Sequence, residues 1–191
     1  IKVPEVKIDI FKKILTVFLG YILLPLILLI PFYFSIYNLT FLDSFFETIS
    51  GFTSTGFTIF DNIKQLDESL ILWRSTSQWI GGIYFLFSIL LLIDIFDKNL
   101  KQSFTEYLSF NNNEIFNQSL KIIIIYSFLT IIIFILFKTI NLRTFDAFNL
   151  SLSIISSGGF LPVNNIDYLF ESDFSKIILS FTMILSFFSL F

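Results

Sequence analysis

Gly51-Phe52-Thr53-Ser54-Thr55-Gly56-Phe57-Thr58 is a polar, small-residue stretch inside an otherwise apolar chain. It follows a half-length apolar segment, residues 41–50, and precedes a long one. A shorter copy, Ser156-Ser157-Gly158-Gly159-Phe160, returns about a hundred residues later, which is the mark of an internal repeat. Irregular backbone is tolerated at membrane depth only inside protein or along a water-filled cavity. We therefore read the two stretches as pore-lining loops of an ion selectivity filter, two of the four walls that a complete pore needs.

The surrounding composition supports a membrane setting. Hydrophobic residues make up 55% of the chain and charged residues 14%, against about 25% charged in soluble domains. Residues 14–37, 70–93 and 120–140 are apolar stretches near or above the roughly 20 residues that span a hydrocarbon core. A fourth, 176–191, stays apolar to the last residue, and the sequence does not begin with Met; the chain reads as a piece of a longer protein. The first stretch is too long for a signal-peptide core and lacks a small-residue cleavage site. With no Cys and no His, disulfides, zinc sites, thiol catalysis and imidazole acid–base chemistry are excluded. Nor does the sequence present a carboxylate pair, a metal cluster or a nucleophile–base set. We expect no enzyme, no cofactor and no nucleic-acid partner.

The order of segments is a basic arm, a long helix, a half helix, a polar loop and a long helix. A linker rich in charge and Asn follows at 94–118, and the same pattern returns. Setting Asp43 on Asp146 also matches Phe45 with Phe148, Ser50 with Ser153, Ser54 with Ser157, Gly56 with Gly159, Phe57 with Phe160, Asn62 with Asn165 and Ile63 with Ile166. Each repeat has two spanning segments, so both its ends lie on one side and the repeats run parallel about an axis along the membrane normal. The fold expected is all-α and integral to the membrane, with tandem helix–pore loop–helix repeats. Its parts are four full transmembrane helices and two re-entrant half helices. Residues 1–118 form the first repeat with a cytoplasmic arm and linker. Residues 119–191 form the second, truncated in its last helix.

Charge gives an orientation. The arm and linker side carries seven Lys, the opposite side five Lys and Arg. Cytoplasmic sides carry the excess of Lys and Arg, which puts the N-terminus in the cytoplasm. The opposite side carries nine acids, and an acidic face raises cation concentration near a pore mouth.

Residues 41–50 would make a helix of about 15 Å, half the hydrocarbon core. Asp43 stands where an N-cap would, and Asp146 does so before 147–155. The C-terminal carbonyls of such a half helix favour a cation. Carbonyls of Thr53, Ser54, Thr55, Gly56 and Phe57, and of Ser156, Ser157, Gly158, Gly159 and Phe160, can replace part of an ion's hydration shell. Gly56 supplies the positive-φ freedom such a loop demands, and Gly159 beside Gly158 can do the same. Pro25 and Pro31 read as a kink in the first helix, and Gly81-Gly82 as a close helix contact. Arg74 reads as snorkelling to the outer headgroups, with a salt bridge to Glu47 as the alternative. Trp73 and Trp79 read as interfacial or packing aromatics. The nucleotide-loop pattern from Gly51 to Gly56 fails, because Phe57 stands where Lys is required.

The residues resemble a known family. Residues 45–56 with Leu72-Trp73-Arg74-Ser75-Thr76-Ser77-Gln78-Trp79-Ile80-Gly81-Gly82 are similar to the Trk/Ktr/HKT potassium transporters. Phe145-Asp146-Ala147-Phe148 with Ser153-Ile154-Ile155-Ser156-Ser157-Gly158-Gly159-Phe160 resembles that family's second repeat. The resemblance implies a potassium-channel-like pore of four repeats, of which this chain carries the first two. It implies that Gly56 and Gly159 are filter glycines and that K⁺ is the ion held by the loop carbonyls. Members favouring Na⁺ carry Ser at a filter-glycine position, so glycine here points to K⁺. The resemblance further implies multi-pass insertion in the cytoplasmic membrane, contact with lipid, a homodimer and a cytoplasmic ring of nucleotide-binding regulatory subunits. The alternatives are a Na⁺-conducting or Na⁺-coupled member, and a non-conducting assembly subunit.

Overall fold

The computed structural model describes residues 10–35, 37–96 and 115–187. In chain order these form α1 (Ile10–Leu28), α2 (Ile30–Tyr33), α3 (Phe41–Phe52), α4 (Glu68–Phe96), α5 (Ile115–Thr139), α6 (Thr144–Ile155) and α7 (Asp173–Phe187). Single 3-10 turns lie at Ile63–Gln65 and Ile166–Tyr168. No strand occurs among the described residues. The linker expected at 94–118 falls largely outside them.

Three spans are long and apolar enough to cross a membrane: Ile10–Tyr33, Glu68–Leu92 and Gln118–Thr139. Their lengths of 24, 25 and 22 residues correspond to about 33–38 Å of helix. The fourth, α7, is described over 15 residues. By contrast α3 and α6 have 12 residues each, about 18 Å, too short to cross. They are the two half helices, slightly longer than the sequence suggested because α3 runs on to Phe52 and α6 begins at Thr144.

The two prolines do more than kink the first span. Its first helix ends at Leu28, Leu29 is a turn, and a new short helix opens with Pro31 in its first positions. Pro31 has no N–H, so it starts a helix more easily than it continues one. Trp73 of α4 donates its indole N–H to the Leu28 carbonyl at 2.9 Å, supplying a donor where the helix breaks. Trp79 donates to Thr130 Oγ1 of α5 at 3.1 Å. Both tryptophans are therefore packing residues.

The repeat is visible in the backbone itself. Among described non-glycine residues, positive φ occurs at Asn38, Ser54, Asn141 and Ser157. Asn38 stands to Asn141 as Ser54 stands to Ser157, at the same constant offset that sets α3 on α6. The offset also sets Asn62 on Asn165, and each of these caps a 3-10 turn, accepting the N–H two residues on.

The centre of the arrangement is α4. It packs against its own half helix, α3, and against the half helix of the next repeat, α6. One buried cluster gathers Phe32, Ile63, Leu66, Leu70 and Ile71. A larger one gathers Tyr126, Ile133, Phe137, Leu150, Ile155 and Phe170 of the second repeat, and Leu86 of α4 joins it. Gly81 and Gly82 make the close approach possible. A Cβ on Gly81 would overlap the Phe52 carbonyl at the end of α3, and one on Gly82 would meet Tyr126 and Ser156.

Candidate filter site

The start of each half helix differs from the expectation. Thr40, not Asp43, is the N-cap of α3: its backbone is extended and its Oγ1 accepts the Asp43 N–H at 3.1 Å. The Thr40 hydroxyl in turn donates to Asp43 Oδ2 at 2.7 Å. Asp43 lies inside the first turn as the partner of the cap. Asp146 likewise lies inside the first turn of α6, behind Arg143 at a cap position that makes no side-chain cap bond. The reason is that both helices begin before the acids, which keep the favourable place near the positive end of the helix.

The ends of the half helices are alike. Ser54 N–H donates to the Gly51 carbonyl and Thr55 N–H to the Ser50 carbonyl, both at 2.9 Å. Ser157 N–H donates to Ile154 and Gly158 N–H to Ser153, both at 2.8 Å. With Ser54 at φ 55° and Ser157 at φ 54°, each end is a Schellman motif whose left-handed residue is serine. Gly56 has φ +81° as expected. Gly159 and Gly158 do not adopt positive φ. They are required for space: a Cβ on Gly158 would land on the Gln78 amide, and one on Gly159 would come 3.3 Å from the Gly56 Cα.

This last contact joins the two loops. A Cβ on Gly56 would stand 2.6 Å from the Gly159 Cα, so the glycines of the two repeats meet backbone to backbone. Thr53, Thr55, Phe57, Ser157 and Gly159 are exposed, Ser54, Gly56 and Gly158 partly so, and Ser156 and Phe160 are buried. The Phe57 carbonyl accepts the Ser50 hydroxyl at 2.5 Å. Among the described residues the carbonyls of Thr53, Ser54, Thr55, Gly56, Ser156, Ser157, Gly158 and Gly159 accept no hydrogen bond, whereas most of the loop N–H groups are engaged. A cavity of about 440 Å³ lies between the ends of the half helices, lined in part by Thr53, Ser54, Ser156 and Ser157.

Behind the loops lies a polar frame that the sequence reading only partly foresaw. Arg74 does not snorkel. It is 1% exposed and its Nε donates to Glu47 Oε1 at 2.7 Å, with Glu47 fully buried. A charge in an apolar setting has to be paired, and the facing acid on α3 decides the matter. Glu47 also accepts from Thr58 Oγ1 and from the Ile59 N–H, each at 3.0 Å. It thereby fastens the chain just after the first loop. Arg74 reaches the second loop too: its guanidinium lies 4.2 Å from the Phe160 ring centroid and Nη1 donates to the Leu161 carbonyl at 3.4 Å.

Gln78, one turn further along α4, is fully buried. Hydrogen bonding fixes its amide orientation. Its oxygen accepts from both Gly159 N–H and Phe160 N–H at 3.1 Å, and its nitrogen donates to Ser153 Oγ at 2.7 Å. Neither this role nor the full reach of Arg74 was read from sequence. A signal exists, since Arg74, Ser77, Gln78 and Gly81 fall three to four residues apart and so share one helix face. A polar side of an otherwise apolar span is the side that faces protein. Beyond the loops the repeats are joined again. Asn164 donates to Asn62 Oδ1 at 2.8 Å and accepts the Ile63 N–H at 2.7 Å.

With this geometry in view, comparison with known proteins is decisive. The family model TrkH, cation transport protein, matches residues 7–190. The chain belongs to the TrkH family. Its curated relatives include the uncharacterised cation transporter MJ1485 of Methanocaldococcus jannaschii, 33% identical over 155 residues, 78% of this chain and 32% of that one. The Trk system potassium uptake protein TrkG of Escherichia coli K12 is 32% identical over 130 residues, 64% of this chain and 27% of that one. The crystal structure of the potassium transporter TrkH from Vibrio parahaemolyticus shares the fold, with a TM-score of 0.76 at 23% identity, over 97% of this chain and 37% of that one. This TrkH-family chain thus spans about a third of the length of those relatives. It is a membrane protein built of helix–half helix–helix repeats, and the relatives named here are transporters or uptake proteins, not enzymes.

Proposed function

We propose that the chain supplies two walls of the selectivity filter of a K⁺ uptake pore in the cytoplasmic membrane. The observation that carries this reading is the meeting of Gly56 with Gly159 at the ends of two equivalent half helices. There the loop N–H groups are largely bonded away and a row of carbonyls accepts nothing from the protein. Carbonyl oxygens replace the hydration shell of a cation, and the helix C-termini add partial negative charge. Residues 53–57 and 156–160 would hold the ion through their backbone, with no side-chain metal site and no cofactor. The repeats, residues 1–118 and 119–191, act as parallel halves of this unit, with the N-terminus cytoplasmic.

The names of the Trk relatives as potassium uptake proteins support K⁺ as the ion. Lipid contact, homodimer formation and a cytoplasmic nucleotide-binding regulatory partner belong to the same proposal and rest on the family resemblance. The test is rescue of a bacterium lacking K⁺ uptake by the complete open reading frame that encodes this chain. Growth on low K⁺ is expected from the wild type and not from Gly56→Asp or Gly159→Asp. Normal growth of either variant overturns the reading.

A further inference from the structure

We propose that Gln78, a residue of the first repeat, is the positioning residue that aims the carbonyls of the second filter wall. The inference rests on the filter reading above and adds a residue outside both loops to it. A trans peptide unit is planar, so the N–H of one residue and the C=O of the residue before it point in opposite directions. Gly159 N–H and Phe160 N–H both point at the Gln78 oxygen. The carbonyls of Gly158 and Gly159 therefore point away from α4. Gly158 N–H, held by the Ser153 carbonyl, turns the Ser157 carbonyl in the same way. The Gln78 nitrogen also holds the Ser153 hydroxyl of α6, so one amide sets two consecutive peptide units and ties them to the half helix they follow.

Among the described residues the first wall has no such clamp. Thr55 and Gly56 N–H groups go to the Ser50 carbonyl at 2.9 and 3.3 Å, within their own repeat. The second wall borrows its acceptor from its neighbour. The site is built for this one side chain: Gln78 is fully buried, and Gly158 leaves no room for a methyl group beside it. A buried amide that only filled space would not need its oxygen aimed at two adjacent N–H groups, each of which is costly to leave unpaired at this depth.

The experiment measures K⁺ and Na⁺ uptake by liposomes holding the full-length wild-type protein or its variants, alongside the amount of folded protein incorporated. Gln78→Leu removes the acceptor and is expected to lower the K⁺/Na⁺ uptake ratio by at least about tenfold, the size of effect that follows from orphaning buried N–H groups. Gln78→Glu keeps an oxygen for both N–H groups and a second for the Ser153 hydroxyl, and should hold the ratio within about threefold of wild type. Gly158→Ala pushes on the amide and should move the ratio in the direction of Gln78→Leu. Ser75→Ala, equally buried on α4 but bonded only to its own helix at the Ile71 carbonyl, should leave the ratio unchanged. A wild-type ratio in Gln78→Leu overturns the inference, as does an equal loss in Ser75→Ala. Should Gln78→Leu fail to incorporate, a wild-type ratio in Gly158→Ala overturns it instead. Wild-type protein that passes neither cation overturns the filter reading and this inference together.

Discussion

At its middle the first half helix is anchored by charge, and the second, at the same place, by hydrocarbon. In α3 the inward position is Glu47, paired with Arg74 and bonded to Thr58 and Ile59. The corresponding position of α6 is Leu150, 1% exposed and packed in the larger apolar cluster. The loops differ in the same sense. Phe57 is 69% exposed, whereas Phe160 is 2% exposed beneath the Arg74 guanidinium. Yet the backbones agree down to the left-handed serines. Two unlike sets of side chains thus produce one shape of half helix and helix end, and the backbones part only at Gly56 and Gly159, where positive φ occurs in the first alone. What the repeats share is the Schellman-ended half helix and a small residue where the loops cross, not the means of holding them.

The largest test of this contrast is to break the charge pair. Glu47→Leu alone leaves Arg74 buried and unpaired, and should cost about 3–5 kcal/mol, read as lost thermal stability of the purified protein. Adding Arg74→Met should recover most of that loss, because replacing a buried pair with apolar residues is often near neutral. A single variant as stable as wild type would mean that the pair is not what anchors α3.

Next in size are the crossing glycines. Gly56→Ala must adopt positive φ and meets the Gly159 backbone, a sum of about 2–4 kcal/mol of strain and overpacking. Gly159→Ala meets Gly56 at 3.3 Å with ordinary φ. K⁺ uptake should fall more in the first than in the second, and the reverse order would undo the reading of which glycine is conformational.

The helix starts give a smaller effect. Thr40→Ala should cost about 1 kcal/mol, while Arg143→Ala at the equivalent place loses an exposed ion pair with Glu68 and an exposed contact with the Phe145 ring and should cost less than Thr40→Ala. Comparing the two variants by thermal unfolding sharpens the contrast, since equal losses would erase it. Smallest, and equal in the two repeats, is relief of the left-handed serines. Ser54→Gly and Ser157→Gly should each stabilise by about 0.5–1 kcal/mol, and opposite signs would show that the two helix ends are not equivalent.

The fold was largely legible, because the repeat offset and the half-length segments are written in hydropathy, and length decides what can cross a membrane. The same offset brought Asn62 and Asn165 together, and both cap 3-10 turns. The frame behind the two loops was harder to read. Hydropathy says that α4 spans but averages over its faces, so the side that faces protein shows only in the spacing of Arg74, Ser77 and Gln78. Arg74 could therefore be sent outward to the headgroups when its partner lay across on α3. Gln78 has a more basic reason for being missed: its partners are backbone N–H groups, which every residue carries, so no residue type signals them. The serines at positive φ were hidden by the stronger expectation that glycine takes that conformation.

The dependence of the second loop on α4 also orders the molecule in time. A chain is made and inserted from its N-terminus, so Gln78 enters the bilayer before Gly159 and Phe160 exist. Until they arrive, its amide has no loop backbone to bind, and the Arg74 guanidinium has no Phe160 ring over it. The first repeat is thus left with an unfilled polar notch that only the second can close. Membrane insertion of such a chain is directional, and the docking of the second loop into that notch marks the moment when the two repeats become one structure.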